Sequence, residues 1–215
     1  RTIHVMEKFM NSASIHEDGC KLLACLFHQA SDDESISQNR LIAEVETMYH
    51  SLKQHMNSPA NTIAACAALQ NFCILLSANM SGNVSGLNDI LSRALAEVAK
   101  ALVRYVDNVE TIERVTGALW ALCAVRKSLA LSIEIDRSIV LIVTAMNRFR
   151  DSVDLHRHGI GLIGLFFSVS NNLIDYVTDE LVSAVMRFIK EEINNEDAAD
   201  LIETSIDMIL AMSNK

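Results

Sequence analysis

The chain has 215 residues, half of them hydrophobic, which is enough apolar surface for one large domain or one continuous repeat array. A formal net charge of −9 disfavours a broad basic face for nucleic acid, and no apolar stretch reaches the ~18 residues of a membrane span, the nearest being Gly159–Val169. Pro59 is the only proline, glycines number seven and aromatics are 5%, a mix that disfavours turn-rich β architectures and suits long helices with cores of Leu, Ile, Val, Ala and Met.

In chain order, one pattern recurs: a helix with an aliphatic or Met stripe, a short polar turn, then a second helix with a small residue ahead of further apolar ones. The first copy has the stripe Ile3, Met6 and Phe9, the turn Asn11–Ser14, and Gly19, Leu22, Leu23 and Leu26 on the second helix. Ser14 with Glu17 predicts a capping box there. The second has Val45, Met48 and Leu52, the turn Asn57-Ser58-Pro59, and Ala65, Ala68, Leu69 and Phe72. Ser58 before Pro59 is a strong helix start, because proline fits the first helical position. The stretch Asn79–Gly86, rich in Ser, Gly and Asn, predicts an inserted surface loop. The third copy has Val98, Leu102 and Val106, Asp107-Asn108, then Ala118, Ala121, Leu122 and Val125. The fourth has Ile142, Met146 and Phe149, Asp151-Ser152, then Gly159, Leu162, Ile163 and Phe166, with Ile160–Val169 apolar on nearly every side, as in a helix buried all round. The last has Val182, Met186 and Ile189, Asn194-Asn195, then Ser205, Met208, Ile209 and Met212.

Taking Leu23, Leu69, Leu122, Ile163 and Ile209 as equivalent gives spacings of 46, 53, 41 and 46 residues, near the ~40–47 of HEAT and armadillo units. The expected segments are 1–34, 35–80, 87–130, 136–172 and 173–215 of a single domain, an all-α, right-handed α-solenoid of about five repeats. A helix pair cannot bury its apolar face alone, so each copy stacks on the next. The small residues Gly19, Ala65, Ala118, Gly159 and Ser205 would admit close neighbours. Both ends look uncapped and residue 1 is Arg, so the expectation is a fragment of a longer protein with further repeats or domains, the alternative being ends covered by a partner; no signal peptide is visible.

Ala118-Leu119-Trp120-Ala121-Leu122 and Ala67-Ala68-Leu69-Gln70-Asn71-Phe72 resemble the third helix of the armadillo repeat, and Ile142–Phe149 running into Asp151–Phe166 looks like its second and third helices. The resemblance, to the armadillo/HEAT-like family, spans most of the chain; its motif is degenerate and implies an architecture, not an activity. In the importin-like members a Trp and an Asn four positions later hold an extended basic peptide. Here the Trp positions fall on Lys21, Ala67, Trp120, Gly161 and Asp207, and the Asn positions on Cys25, Asn71, Ala124, Leu165 and Ala211. No copy has both, so that peptide-clamping ladder is broken. The short first helix of the armadillo unit is also hard to find, which leaves a two-helix HEAT-like unit open.

For chemistry the sequence offers little. His4, His16, His28, His50, His55, His156 and His158 show no zinc spacing, and no cofactor or metal is expected. Cys20, Cys25, Cys66, Cys73 and Cys123 sit in apolar helical runs and read as reduced core cysteines, which points to an intracellular, cytoplasmic setting. Cys66 and Cys73 lie seven residues apart, roughly 10 Å along a helix and too far for a disulfide. The sequons Asn79-Met80-Ser81 and Asn83-Val84-Ser85 read as chance matches. No nucleophile elbow, phosphate loop or paired carboxylates appear, so catalysis is not expected.

The candidate groove residues are Lys21, His28, Asn71, Trp120 and Asp207. Arg148, Arg150, His156, Arg157 and His158 form a basic cluster suited to an acidic peptide or phosphate, against Asp151 and Asp154 beside it. The runs Asp32-Asp33-Glu34 and Glu191-Glu192…Glu196-Asp197 read as solvated tips and helix starts. Together these imply a non-catalytic scaffold that takes a protein or peptide segment on the concave face of the second helices; the alternative is a structural spacer within a larger protein.

Overall fold

The computed structural model describes residues 1–29, 38–79, 86–170, 178–195 and 198–213. Among them there are eleven helices and no strand: α1 (Thr2–Lys8), α2 (Ala13–Gln29), α3 (Gln38–His55), α4 (Pro59–Asn79), α5 (Leu87–Arg104), α6 (Val109–Val125), α7 (Lys127–Ala130), α8 (Ile135–Arg148), α9 (Val153–Val169), α10 (Asp179–Glu192) and α11 (Ala199–Ser213). The protein is all-α, in keeping with its composition. The loop residues 80–85, the run Asp32-Asp33-Glu34, the pair Glu196-Asp197 and the side chains of Met208, Ala211 and Met212 lie outside the described residues.

Helices start where short polar side chains satisfy free backbone N–H groups. Ser58 Oγ accepts from Asn61 N at 3.3 Å, with Pro59 as first helical residue. Asn108, Ser152 and Thr178 cap α6, α9 and α10 in the same way. The predicted Ser14–Glu17 box is displaced: α2 starts two residues earlier than it requires, and Ser12 Oγ receives Ile15 N at 3.4 Å. Gly86 opens α5 at φ 84°, a conformation that disfavours any side chain.

The helices touch in pairs, α1 with α2, α3 with α4, α5 with α6, α8 with α9 and α10 with α11. Across pairs, first helices meet first helices (α1–α3–α5–α8–α10) and second helices meet second helices (α2–α4–α6–α9–α11), the contact being most extensive along α2, α4, α6 and α9. The short α7 packs on α6 and α9. One cluster of buried side chains runs from Met6 to Phe188 through all five pairs.

All five small residues are buried. At two of them the reason is direct, because a Cβ on Gly19 would meet Met6 Sδ at 2.4 Å and one on Gly159 would meet Met146 Sδ at 2.7 Å. In both pairs the stripe methionine of the first helix occupies the space a second-helix side chain would fill.

Three sequence expectations need correction. In the last pair the buried stripe is Leu181, Val185 and Phe188, one residue out of step with Val182, Met186 and Ile189, and Met186 is exposed. In the first pair Phe9, Leu22 and Leu26 face outward, although they were expected in the core. The span Pro59–Ser77 of α4, 19 residues, is long and apolar enough to cross a membrane by length and composition, against the expectation that no stretch is, although Asn61, Thr62, Gln70 and Asn71 interrupt its apolar run. Here that helix is covered by α2, α3 and α6, and Asn61 and Thr62 are buried. Asn61 exchanges hydrogen bonds with Ser51, accepting from its Oγ at 3.0 Å and donating to its carbonyl at 3.2 Å, so these polar groups are satisfied inside the protein.

Candidate functional site

The second helices carry all five groove candidates. Lys21 projects from α2 and is paired with Glu17 at 2.5 Å, an exposed link one helical turn away. His28 is exposed in the last turn of α2. Asp207 is exposed on α11, where with Ile193, Ile202 and Ile206 it lines a cavity of about 470 Å³.

Asn71 and Trp120 are half-buried, and both are engaged within the chain. Asn71 Nδ2 donates to the carbonyl of Ala24 at 2.9 Å, tying α4 to α2. The Trp120 indole lies against the bare backbone of Gly161, where a Cβ would come within 2.6 Å of the ring, and its centroid is 5.8 Å from that of His158. Trp120 is thus a contact between α6 and α9 with part of its surface open.

His158 makes a link across 88 residues. Its ring sits over Gly117, whose missing side chain leaves room for the ring and for Gln70 Oε1, each about 3 Å from where a Cβ would stand. Gln70 Nε2 lies 3.4 Å from His158 Nε2, and His158 Nδ1 lies 3.3 Å from the carbonyl of Glu113. A carbonyl only accepts, so Nδ1 carries the proton and Nε2 receives the Gln70 amide. One histidine therefore joins α9 to α6 and, across the Gly117 gap, to α4.

The five basic candidates do not converge on one open patch. Arg148 pairs with Asp107, and Arg150 Nε donates to the carbonyl of Asn147. Arg157 donates to Glu192 at 2.8 Å, holding that carboxyl below the usual range, and Asn195 joins the same oxygen. His156 is buried, with Nδ1 2.7 Å from the carbonyl of Ser152 and Nε2 3.5 Å from Arg187. His158 is buried as described. Arg148 and Arg150 are the exposed members.

Among the described residues no group of three or more His, Cys, Asp or Glu side chains converges to hold a metal ion. All five cysteines are free thiols. Burial raises Cys20, Cys66, Cys73 and Cys123, Cys20 to about 11, so these four stay protonated and weakly nucleophilic. Cys25 is exposed.

Sequence reasoning missed a second histidine cluster. His16 is fully buried in α2 and its Nε2 lies 3.1 Å from the carbonyl of Met6; His55 Nε2 lies 2.8 Å from the carbonyl of Met10, and the two rings are 4.7 Å apart. The two imidazoles hold the end of α1 onto α2 and α3. No local motif announces this, since the partners are main-chain carbonyls.

Burial lowers the pKa of His16 below the ordinary 6.5, the His55 charge lowers it further, and the Met6 carbonyl acts in the opposite sense. Burial also lowers that of His158, against Asp154 and the Glu113 carbonyl and with Arg114 and Arg157. The unfolded chain therefore binds more protons than the folded one below 6.5. Their contribution to stability is complete above 6.5 and is lost as pH falls through the folded values. The melting temperature should drop between pH 7 and pH 5. His16→Gln, which keeps a donor for Met6 but cannot titrate, should make that drop shallower; equal slopes for the two proteins would remove His16 from the account.

No protein-family model matches the chain, nor does any curated protein or solved structure.

Proposed function

We propose that the chain is an armadillo/HEAT-like α-solenoid of about five helical pairs and acts as a non-catalytic scaffold, taking a protein or peptide segment on the face formed by its second helices. The observation that carries this reading is the direct contact of α2, α4, α6, α9 and α11 in succession, which gives a continuous helical surface. A sequential helix-on-helix order is the architecture in which repeats bury their faces against neighbours only. Leu22, Leu26 and Ile74 stand exposed on α2 and α4, Ile74 at 59%, and supply apolar anchors of the kind such surfaces use. Four of the five thiols are buried and protonated, which fits a binding role better than nucleophilic chemistry.

The spacer reading retains one specific support. Asn71 and Trp120, the best ladder residues, spend their polar and aromatic contacts on Ala24, Gly161 and His158. A rigid arm would use them in that way. The two readings part on one experiment: affinity capture with the intact chain, hydrogen exchange on any complex recovered, and a comparison of Leu22→Glu and Ile74→Glu. A scaffold gives protection along α2, α4 and α6, and weakens at least about 10-fold with either charge, as expected for truncating or repelling an anchor. A footprint confined to α3, α5 and α8, or full binding by both variants, would remove the second-helix face.

A further inference from the structure

A cavity of about 270 Å³ opens at the first helix pair, lined by Glu7 from the end of α1, Met10 from the turn after it, His16 from α2, and Glu46, Thr47 and His50 from α3. Its size suits a small headgroup and falls just below typical drug-sized pockets. Its chemistry is mostly that of an acceptor, His50 being the lining residue that also carries an N–H donor. His16 Nε2 must carry its proton, because the Met6 carbonyl beside it only accepts. Nδ1 of the neutral ring is then a bare acceptor, and it is buried with no hydrogen-bond partner. Thr47 has already spent its hydroxyl proton on the Ala43 carbonyl at 2.8 Å and offers lone pairs. Glu7 and Glu46 offer carboxylates, and Met10 a thioether, itself a weak acceptor. Glu46 also forms a loose ion pair with Arg93 at 3.8 Å, beyond hydrogen-bond range and with both side chains well exposed, so a bound cation shares that carboxylate with Arg93.

A buried nitrogen acceptor without a donor is uncommon in folded proteins and asks for an explanation. Here it belongs to a residue lining a cavity with two carboxylates. Charge and hydrogen-bond polarity agree on what complements such a site: a cation that brings several N–H donors. Among the described residues no set of three metal ligands converges, so a bare metal ion is not the match.

We propose that this cavity is a binding site for a guanidinium or primary ammonium group, carried either by a small organic cation or by a basic side chain of a peptide. The ion is held by Glu7 and Glu46, with Thr47 and His16 accepting its N–H groups. The site stands at the edge of the first pair, apart from Leu22, Ile74 and the rest of the second-helix face, and so does not depend on the scaffold reading.

The test is a titration of the full chain at pH 7.5 and constant ionic strength, followed by amide and methyl NMR. The probes are n-butylguanidinium and n-butylammonium, an acetylated and amidated Gly-Arg-Gly peptide, and tetramethylammonium as a cation without donors. Saturable shifts confined to the amides around Met10, His16, Thr47 and His50 are expected with the first three and not with the last. Tighter binding of the peptide than of n-butylguanidinium assigns the group to a protein side chain; the reverse assigns it to a free cation. Glu7→Gln with Glu46→Gln should weaken binding at least about 10-fold. Both carboxylates are on the surface, and an unchanged melting temperature shows that the variant remains folded. Absence of saturation at millimolar probe, equal shifts with tetramethylammonium, or undiminished binding by the double variant would each overturn the assignment.

Discussion

Phe72→Ala is expected to cost about 3–5 kcal/mol, the range for removing a fully buried aromatic ring. Phe72 has no exposed surface and lies near the middle of α4, edge-on to Phe27 of α2 with ring centroids 5.4 Å apart. Its neighbours Leu69, Cys73 and Leu76 are buried too, and α4 is held between α2 and α6, so the space left has little means of collapse. For a chain of this length roughly 2–4 °C of melting temperature goes with each kcal/mol, which predicts a drop of roughly 6–20 °C. The control is two residues away. Ile74 is 59% exposed on the same helix, and Ile74→Ala should stay within about 0.5 kcal/mol. Denaturant titrations followed by far-ultraviolet circular dichroism and by Trp120 emission give a second reading. If neighbouring pairs unfold together, both probes shift alike, although Phe72 and Trp120 are on different helices. If the pairs are nearly independent, the dichroism transition splits and the Trp120 midpoint holds. A Phe72→Ala cost below about 1 kcal/mol would mean that the α2–α4 contact is not where the stability resides.

What was legible in the sequence follows the range of the interactions involved. Gly19 and Gly159 were read as close-approach points from spacing alone, and Met6 and Met146 occupy those spaces. Both partners belong to one helix pair, so the pattern is local. Caps were legible for the same reason at Ser58, Asn108 and Ser152. The stripe of α10 was misread because two apolar rows run side by side there: Leu181, Val185 and Phe188 against Val182, Met186 and Ile189. A one-residue step turns a helix face by about 100°, and composition cannot choose between adjacent rows. Leu22 and Leu26 were assigned to the core on residue type, yet an exposed leucine violates no physical rule. The site was least legible. His158 meets Gln70 across 88 residues through the gap at Gly117, and His16 and His55 take main-chain carbonyls. Such partners leave no spacing to read.

The glycine facing Trp120 makes the second large prediction. Glycine within a helix ordinarily costs about 1 kcal/mol relative to alanine, so Gly161→Ala would stabilise an unencumbered helix. Here the new Cβ would lie 2.6 Å from Trp120 Cε2 and 2.9 Å from Cζ2 and Nε1. Those atoms belong to a rigid ring wedged between α6 and α9, not to the tip of a flexible chain, so the indole itself has to move. Overpacking of this kind costs about 1–3 kcal/mol, which cancels the propensity gain for alanine and exceeds it for valine. Gly161→Val should therefore destabilise by about 1–3 kcal/mol and shift emission to the red as the ring is pushed toward water. Trp120 is the sole tryptophan, so the emission reports this contact alone. In a Trp120→Leu background the steric conflict is gone, and Gly161→Ala should turn neutral or mildly stabilising. The non-additivity of the pair measures the contact. The outcome also bears on function. A ring that resists displacement, and whose loss relieves Gly161→Ala, is held by α9 as a spacer's packing element would be. A Gly161→Ala protein that gains stability with unchanged emission would instead mean that the indole swings freely, as an anchor awaiting a ligand must.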